Sequence, residues 1–329
     1  MNSFGRSYRV SIYGESHGLQ IGVVIDGCPA GIAISESDLE EDLSRRKSGG
    51  KGTTPRTEPD IPKIVSGVYN GKTTGAPLTV IFENTNIKSG DYSNLKDQPR
   101  PGHADLTGRK KFGGLNDPRG GGHFSGRLTL CLVAAGIIAK KIIAPSKVTA
   151  SLTEAGGSKE IQRAVDKALE ENDSIGGIIE CRCENIPAGI GEPFFDSVES
   201  EISHIIFSVP ATKGIEFGSG FASARMKGSE HNDLIIDNEG LTKTNYAGGI
   251  NGGLSNGNEI NFRVAIKPAS SISIPQETYN FKSGKVETLE IKGRHDACIA
   301  LRAPVVIECA AAIAIADLML EAQIRKKVF

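Results

Sequence analysis

RGGGHFSGRLTLCLVAAGIIAKKII, residues 119–143, holds two patterns in succession. Leu128, Leu132, Ala135 and Ile138 recur at helical spacing and predict a helix over 122–142. Ahead of them, three glycines, His123, Ser125 and Arg127 would bring backbone N–H groups, a hydroxyl and a guanidinium to the helix N-terminus, an anion cradle. Further helical patterns cover 36–47, 158–172, 196–208 and 304–325, and apolar strand-like runs cover 9–13, 20–26, 78–83, 147–152, 176–183, 259–266 and 286–291. Ser35 with Asp38 three residues on marks a capping box at the first helix. The chain therefore mixes α and β, although periodicity does not give strand order. No GxxxxGK[ST] string is present and no GxGxxG follows a strand convincingly, which argues against nucleoside triphosphate chemistry and a dinucleotide site.

Composition narrows the function. Across 329 residues, 38 Lys and Arg face 39 Asp and Glu, so no global attraction to nucleic acid or an acidic membrane is expected. The 40 glycines and 15 prolines fall short of the ~25–30% typical of low-complexity chains, which excludes a fibrous or disordered protein. Six cysteines without a CxxC pair suggest free thiols in a reducing cytoplasm and no metal site, with Cys181 and Cys183 sharing one face of a strand. The opening MNSFGRSYRVSIYGESHG has no apolar core of a signal peptide. Residues 303–320, APVVIECAAAIAIADLML, approach the length of a membrane span, but Glu308 and Asp317 interrupt them. With Pro304 as first helical residue and Arg325, Lys326 and Lys327 at the other end, the expectation is a buried terminal helix. No linker composition divides the chain, so 1–329 is taken as one domain.

Three segments read as Gly-rich loops: 45–60, 98–126 and 245–258. Long loops in compact domains are usually functional, so a shared anion site is expected. His17 in GESHG, His103 in RPGHAD, His123 in GGGHFSGR and His295 in GRHDAC sit in glycine-flanked or polar settings suited to proton transfer near neutral pH. His204 reads as a packing residue and His231 as a surface one. In GRHDAC, Arg294 and Asp296 would point to one side, as an ion pair or as a base held against an anionic substrate. KPASSI, 267–272, offers Lys267, Ser270 and Ser271 to a phosphate.

Taken in order, GESHG (14–18), RPGHAD (100–105), RGGGHFSGR (119–127), AGGINGG (247–253), KPASSI (267–272) and GRHDAC (293–298) resemble chorismate synthase. The resemblance implies a β-α-β sandwich of antiparallel sheets enclosing helices, an α/β (α+β) fold, assembled as a homotetramer. It implies a lyase that eliminates phosphate from 5-enolpyruvylshikimate 3-phosphate by an anti-1,4 route, yielding chorismate at the last step of the shikimate pathway. Reduced FMN is required although no net redox change occurs. NADPH enters only indirectly, through an external flavin reductase.

Carried residue by residue, the resemblance makes His17 the proton donor to the leaving phosphate and places His103 near the flavin. Asp296 becomes the carboxylate that helps remove the C6 proton through flavin N5. Arg46, Arg127 and Arg294 would bind the phosphate and two carboxylates, supported by Lys51, Ser16 and Ser125. The flavin set is His123, Phe124, Ser125, Pro210, Ala211, Gly252, Lys267, Pro268, Ala269, Ser270, Ser271 and Arg294. His295, alternating away from its neighbours, reads as structural. Two departures stand out: Arg45-Arg46-Lys47-Ser48-Gly49 replaces the family's RRRPG, and Phe124 replaces a polar residue. A non-catalytic flavin- or phosphate-binding module would not need His17, His103 and Asp296 together. An added NADPH:flavin reductase activity is the other alternative, and no Rossmann fingerprint supports it.

Overall fold

The structure, a computed structural model, describes residues 2–54, 58–85, 95–291 and 295–324. The first third of the chain forms β1 (Ser3–Phe4), β2 (Arg9–Gly14), β3 (Gln20–Asp26), α1 (Glu40–Arg46) and β4 (Lys63–Ser66). A small hairpin, β5 (Val68–Tyr69) and β6 (Lys72–Thr73), leads into β7 (Leu78–Glu83). Next come α2 (Asp105–Phe112), α3 (Thr129–Ile143), β8 (Lys147–Ala155), α4 (Ile161–Glu170), β9 (Gly177–Glu184), α5 (Val198–Ser208) and β10 (Thr212–Phe217). The remainder holds α6 (Gly228–His231), the hairpin β11 (Ile250–Asn251) and β12 (Leu254–Ser255), β13 (Ile260–Ile266), β14 (Gln276–Asn280), β15 (Lys285–Leu289) and α7 (Pro304–Ile324).

Two antiparallel sheets face each other across helices. One runs β1-β2-β3-β7-β4 and the other β10-β13-β9-β8. α3 packs on β2 and β3, α7 on β8 and β9, and the two helices pack on each other. Because both are covered on all sides, both are apolar around nearly their whole circumference, which is why 303–320 looked membrane-like. Among the described residues, no helix is long and apolar enough to cross a membrane. The crossing is close at Gly136, where a Cβ would overlap Cys309. Tyr8, the residue before β2, reaches Ala135 O with its hydroxyl at 2.8 Å.

The two acids inside α7 are satisfied. Asp317 accepts the backbone N–H groups of Arg6, Ser7 and Tyr8 at 2.6–3.0 Å. Glu308 pairs with Arg45 at 2.8 Å and with Lys140, and accepts the Ala150 N–H at 3.1 Å. These contacts pin α1, α3, α7 and β8 together, and so fix the end of α1 that carries Arg46.

Several boundaries differ from the sequence reading. The helix expected from 122 begins at Thr129, because Gly120, Gly121 and Gly122 all take positive φ. The loop read over 98–126 contains α2, and the 245–258 loop contains the β11–β12 hairpin. The capping box at Ser35 is present, with Ser35 N–H donating to Asp38 Oδ2 at 2.8 Å. Cys181 and Cys183 do share the inward face of β9, and all six cysteines are buried free thiols. Arg325, Lys326 and Lys327 lie outside the described residues.

Candidate active site

A cleft of about 850 Å³ gathers Arg46 at the end of α1, Asp60, the 100–104 loop and the glycine loop up to Arg127. Its other walls are the turn from α5 into β10, the 267–271 loop, and residues from His295 to the start of α7. Two of the three Gly-rich segments thus meet, 45–60 and 98–126; the third, 245–258, contributes nothing to the lining.

Deepest is a pair of guanidiniums around one carboxylate. Arg127 reaches Asp60 Oδ1 at 2.8 Å, and Arg46 approaches Asp60 Oδ2 at 3.5 Å. Arg46 also donates to Thr129 Oγ1 (3.0 Å), Gly126 O (3.1 Å) and Arg127 O (3.3 Å). Burial first, then the like charges of Arg302 and Arg127 against the attraction of Asp60, push Arg46 down to about 10. Such a group gains from any further anion. Asn84 ties the pair to the GESHG turn. Its carbonyl accepts Arg127 Nε–H at 2.6 Å while its amide donates to Glu15 O (3.1 Å) and Gly18 O (2.9 Å).

That turn carries Ser16 and His17, both buried directly behind Gly120. Ser16 N–H donates to Gly122 O at 3.1 Å, and a Cβ on Gly120 would overlap the His17 imidazole. The glycine loop must therefore be side-chain-free where it crosses His17, which accounts for its composition physically.

His103 is held by an acid and a base together. Its Nδ1 lies 2.6 Å from Asp105 Oδ1, at the start of α2, and 3.0 Å from Arg100 Nη2. Arg100 also grips Asp105 through Nε (2.7 Å) and Nη2 (2.8 Å), and reaches Ser271 Oγ at 3.0 Å. Burial works to raise Asp105, yet the Arg100 hydrogen bonds and the His103 imidazole outweigh it and hold the carboxyl well below the usual range. Nδ1 is thus engaged on both sides, by Asp105 and by Arg100, which leaves Nε2 as the second nitrogen of His103.

Asp296 sits on the opposite wall. Arg302 donates to it through Nε (3.1 Å) and Nη2 (2.9 Å), and Thr54 N–H adds a third bond at 3.0 Å. Burial alone would raise its pKa; Arg302 and Thr54 reverse that, so the carboxylate is ionised at neutral pH. Its neighbour His295 also lines the cleft, and its Nε2 is buried without a partner among the described residues. Burial and then Arg100 lower the His295 pKa, while Asp296 opposes them.

Pro210, Ala211 and Lys267 through Ser271 all line the cleft, as do His123, Phe124 and Ser125. His123 Nδ1 donates to Gly14 O at 2.7 Å. Phe124 packs over Gly108 of α2, where a Cβ would press its ring. Ser125 caps the turn before α3, accepting Arg127 N–H at 3.3 Å. Five expected residues are not in this lining. Ser16 and His17 lie buried behind Gly120 and do not line the cleft. Lys51 is exposed and pairs with Asp166 at 2.7 Å. Gly252 turns the β11–β12 hairpin at positive φ and is not in the lining. Arg294 lies outside the described residues. His204 lines the cleft, packed edge-on against Phe4 with ring centres 5.3 Å apart. Asp60, Asn84, Arg100, Asp105, Lys213 and Arg302 join the site without having been singled out by the sequence. Arg100 and Asp105 stand inside RPGHAD and Asp60 ends the 45–60 segment; nothing local marks the other three.

Paired arginines over a buried carboxylate, an oriented His103 and an ionised aspartate in one cleft, with His17 behind its glycine wall, suit an enzyme acting on a multiply charged anion. Comparison with known proteins gives the family. The chorismate synthase family profile matches residues 8–320. The chorismate synthase of Chitinophaga pinensis is 59% identical over 330 residues, covering 100% of this chain and 99% of that one. That of Dehalococcoides mccartyi is 44% identical over 359 residues, with 99% of each chain covered. A crystal structure of chorismate synthase superimposes with a TM-score of 0.75 at 27% identity, covering 97% of this chain and 93% of that one. The chain belongs to the chorismate synthase family, a lyase family whose sandwich of antiparallel sheets around helices it shares. Neither the non-catalytic module nor the added reductase finds support in these comparisons.

Proposed function

We propose that this cleft eliminates phosphate from 5-enolpyruvylshikimate 3-phosphate to give chorismate, with reduced FMN as its cofactor. The Arg46–Asp60–Arg127 cluster carries the reading: Asn84 ties its guanidinium donors to the turn that holds His17, the proposed proton donor to a departing phosphate. Arg46 and Arg127 would take the substrate's anionic groups, with Ser16 and Ser125 as hydroxyl contacts. His17 would protonate the phosphate as the C–O bond breaks. Asp296, kept ionised by Arg302, would help take up the proton released when the C6–H bond breaks, whose electron pair moves toward the carbon that loses phosphate.

The residues present also fit a flavin. The cleft has room for two small ligands, an apolar wall (Phe4, Ile12, Leu132, Val306) for a flat ring, and hydroxyls with a lysine at 267–271. When bound, reduced FMN supplies an electron-rich ring beside the substrate. His103, its Nδ1 side fixed by Asp105, presents Nε2 for proton exchange. Gly252, away from this cleft, and Arg294 are proposed contacts only through the family likeness, as are the homotetramer, an external flavin reductase drawing on NADPH and a cytoplasmic location. The apolar core that runs continuously from the first sheet to the second supports treating 1–329 as one domain.

The test is anaerobic: protein, FMN, dithionite and 5-enolpyruvylshikimate 3-phosphate, with chorismate and phosphate followed together. Equimolar release of both, dependent on reductant, is expected. Absence of chorismate from protein that binds both ligands would overturn the assignment. Turnover with NADPH replacing dithionite would instead reveal an intrinsic reductase.

A further inference from the structure

The cations of the cleft are not equally available. Arg46 and Arg127 share Asp60, Arg302 is held by Asp296, and Arg100 by Asp105. Lys267, the residue of KPASSI expected at a phosphate, has its ammonium within reach of three acceptors: Ser270 Oγ at 2.7 Å, Gly102 O at 3.1 Å and Pro268 O at 3.4 Å. Ser270 Oγ–H in turn donates to Gly102 O at 2.8 Å. An ammonium has three donors. Lys267 therefore fastens the 267–271 loop to the turn that carries His103, and contributes its charge through space.

Lys47 and Lys213 are placed differently: both are exposed, both line the same cleft, and among the described residues neither makes an ion pair. Lys213 is the one that local backbone geometry re-aims. Its nearness to Lys267 is registered in the latter's pKa, lowered first by burial and then by the Lys213 charge. Strand alternation would set Lys213 on the face opposite Thr212, yet both line the cleft. The reason is a β-bulge. β10 pairs Thr212 with Ile266 and Gly214 with Ala265, so Lys213 is the extra residue of the ladder. Bulges beside active sites commonly re-aim a side chain in this way. One residue earlier, Ala211 takes φ of +75°, a left-handed conformation that a non-glycine residue adopts at a cost, and its carbonyl is fixed by Lys267 N–H at 2.9 Å. Two local irregularities thus converge on the placement of the Lys213 ammonium.

We infer that Lys213 is a further ligand-binding residue of this cleft, delivering its ammonium to the phosphate monoester of a bound ligand. The inference rests on the functional reading above, which supplies two such ligands, FMN and the phosphorylated substrate. Lys267 is the positioning residue of the pair.

Calorimetric titrations of wild type, Lys213→Gln, Lys213→Arg and Lys267→Gln with FMN, riboflavin and 5-enolpyruvylshikimate 3-phosphate test this. Lys213→Gln should weaken binding about tenfold, the scale of one charge-assisted hydrogen bond, and Lys213→Arg should stay within about threefold of wild type. If the phosphate is that of FMN, the loss appears with FMN and vanishes with riboflavin. If it is the substrate's, the loss appears with the substrate alone. Either pattern supports the inference and names the source. Lys267→Gln should weaken FMN and riboflavin alike, because the loop junction rather than a phosphate contact is lost. Unchanged affinity of Lys213→Gln for all three probes, in a variant with wild-type circular dichroism, overturns the inference alone. Wild-type protein that binds neither FMN nor substrate overturns the functional reading and this inference with it.

Discussion

Replacing Asp60 by Asn should destabilise the protein strongly while leaving its shape intact. The side chain is buried between two buried guanidiniums, 2.8 Å from Arg127 and 3.5 Å from Arg46. Asn keeps the size and one acceptor, and it tolerates the positive φ of 50° found there, so no backbone penalty enters. What disappears is the counter-charge. Breaking a buried pair from one side typically costs about 3–5 kcal/mol, because the remaining charge stays desolvated. With an unfolding entropy of ~2.1 cal/mol/K per residue, a chain of 329 residues loses about 4–7 °C in Tm for that cost. Inorganic phosphate should restore part of the loss by replacing the missing anion, as binding to the folded state requires. Differential scanning fluorimetry at several phosphate concentrations reads both effects. A drop below about 1 °C, or the same response to phosphate as wild type, would refute the view that Asp60 neutralises the arginine pair.

Gly120→Ala should lower turnover more than tenfold while changing Tm by only a few degrees, since Gly120 takes a φ of +58° and a methyl there would displace the His17 imidazole; steady-state rates beside thermal melts check it. For Asp105→Asn the pH dependence is the signature. The folded pKa of Asp105 lies below its unfolded value, so between the two the unfolded chain binds more protons. Its contribution is therefore complete above the ordinary carboxylate range near pH 4 and is lost as pH falls further. Wild type should lose more Tm than Asp105→Asn between pH 6 and pH 3, and parallel curves would contradict the assignment.

Much of the frame could be read from residues because burial and period coincide there. β2, β3, β7 and β9 each alternate or run apolar, and α3 and α7 are apolar all round because they fill the space between the sheets. α2 escaped notice because DLTGRKKF buries little beyond Gly108, so no apolar stripe announces it. β10 escaped because TKGIEF carries a glycine and a bulge that break the two-residue period. At the site, the motif cations were legible through glycine-flanked strings, whereas Asp60 and Arg302 were not. An acid or arginine in a loop has no periodicity, and only the fold brings Asp60 to two helix-end arginines and Arg302 to Asp296. At His295 and Asp296 the chain is not a strand, so alternation does not separate the two side chains and both line the cleft.

The pairing of each arginine with a carboxylate bears on how the cleft can select a multiply charged ligand. Arginines left bare would repel one another and collapse toward any counter-ion; Asp60, Asp105 and Asp296 hold them at fixed positions with donors still directed inward. Net charge then contributes little to affinity, and donor geometry contributes most, which favours a ligand with several anionic groups at set distances over a simple anion. Arg46, with burial and two like charges against one carboxylate, is the group that gains most when such a ligand arrives. Removing Asp60 should therefore trade specificity for indiscriminate anion binding, so that inorganic phosphate competes with substrate more effectively in Asp60→Asn than in wild type.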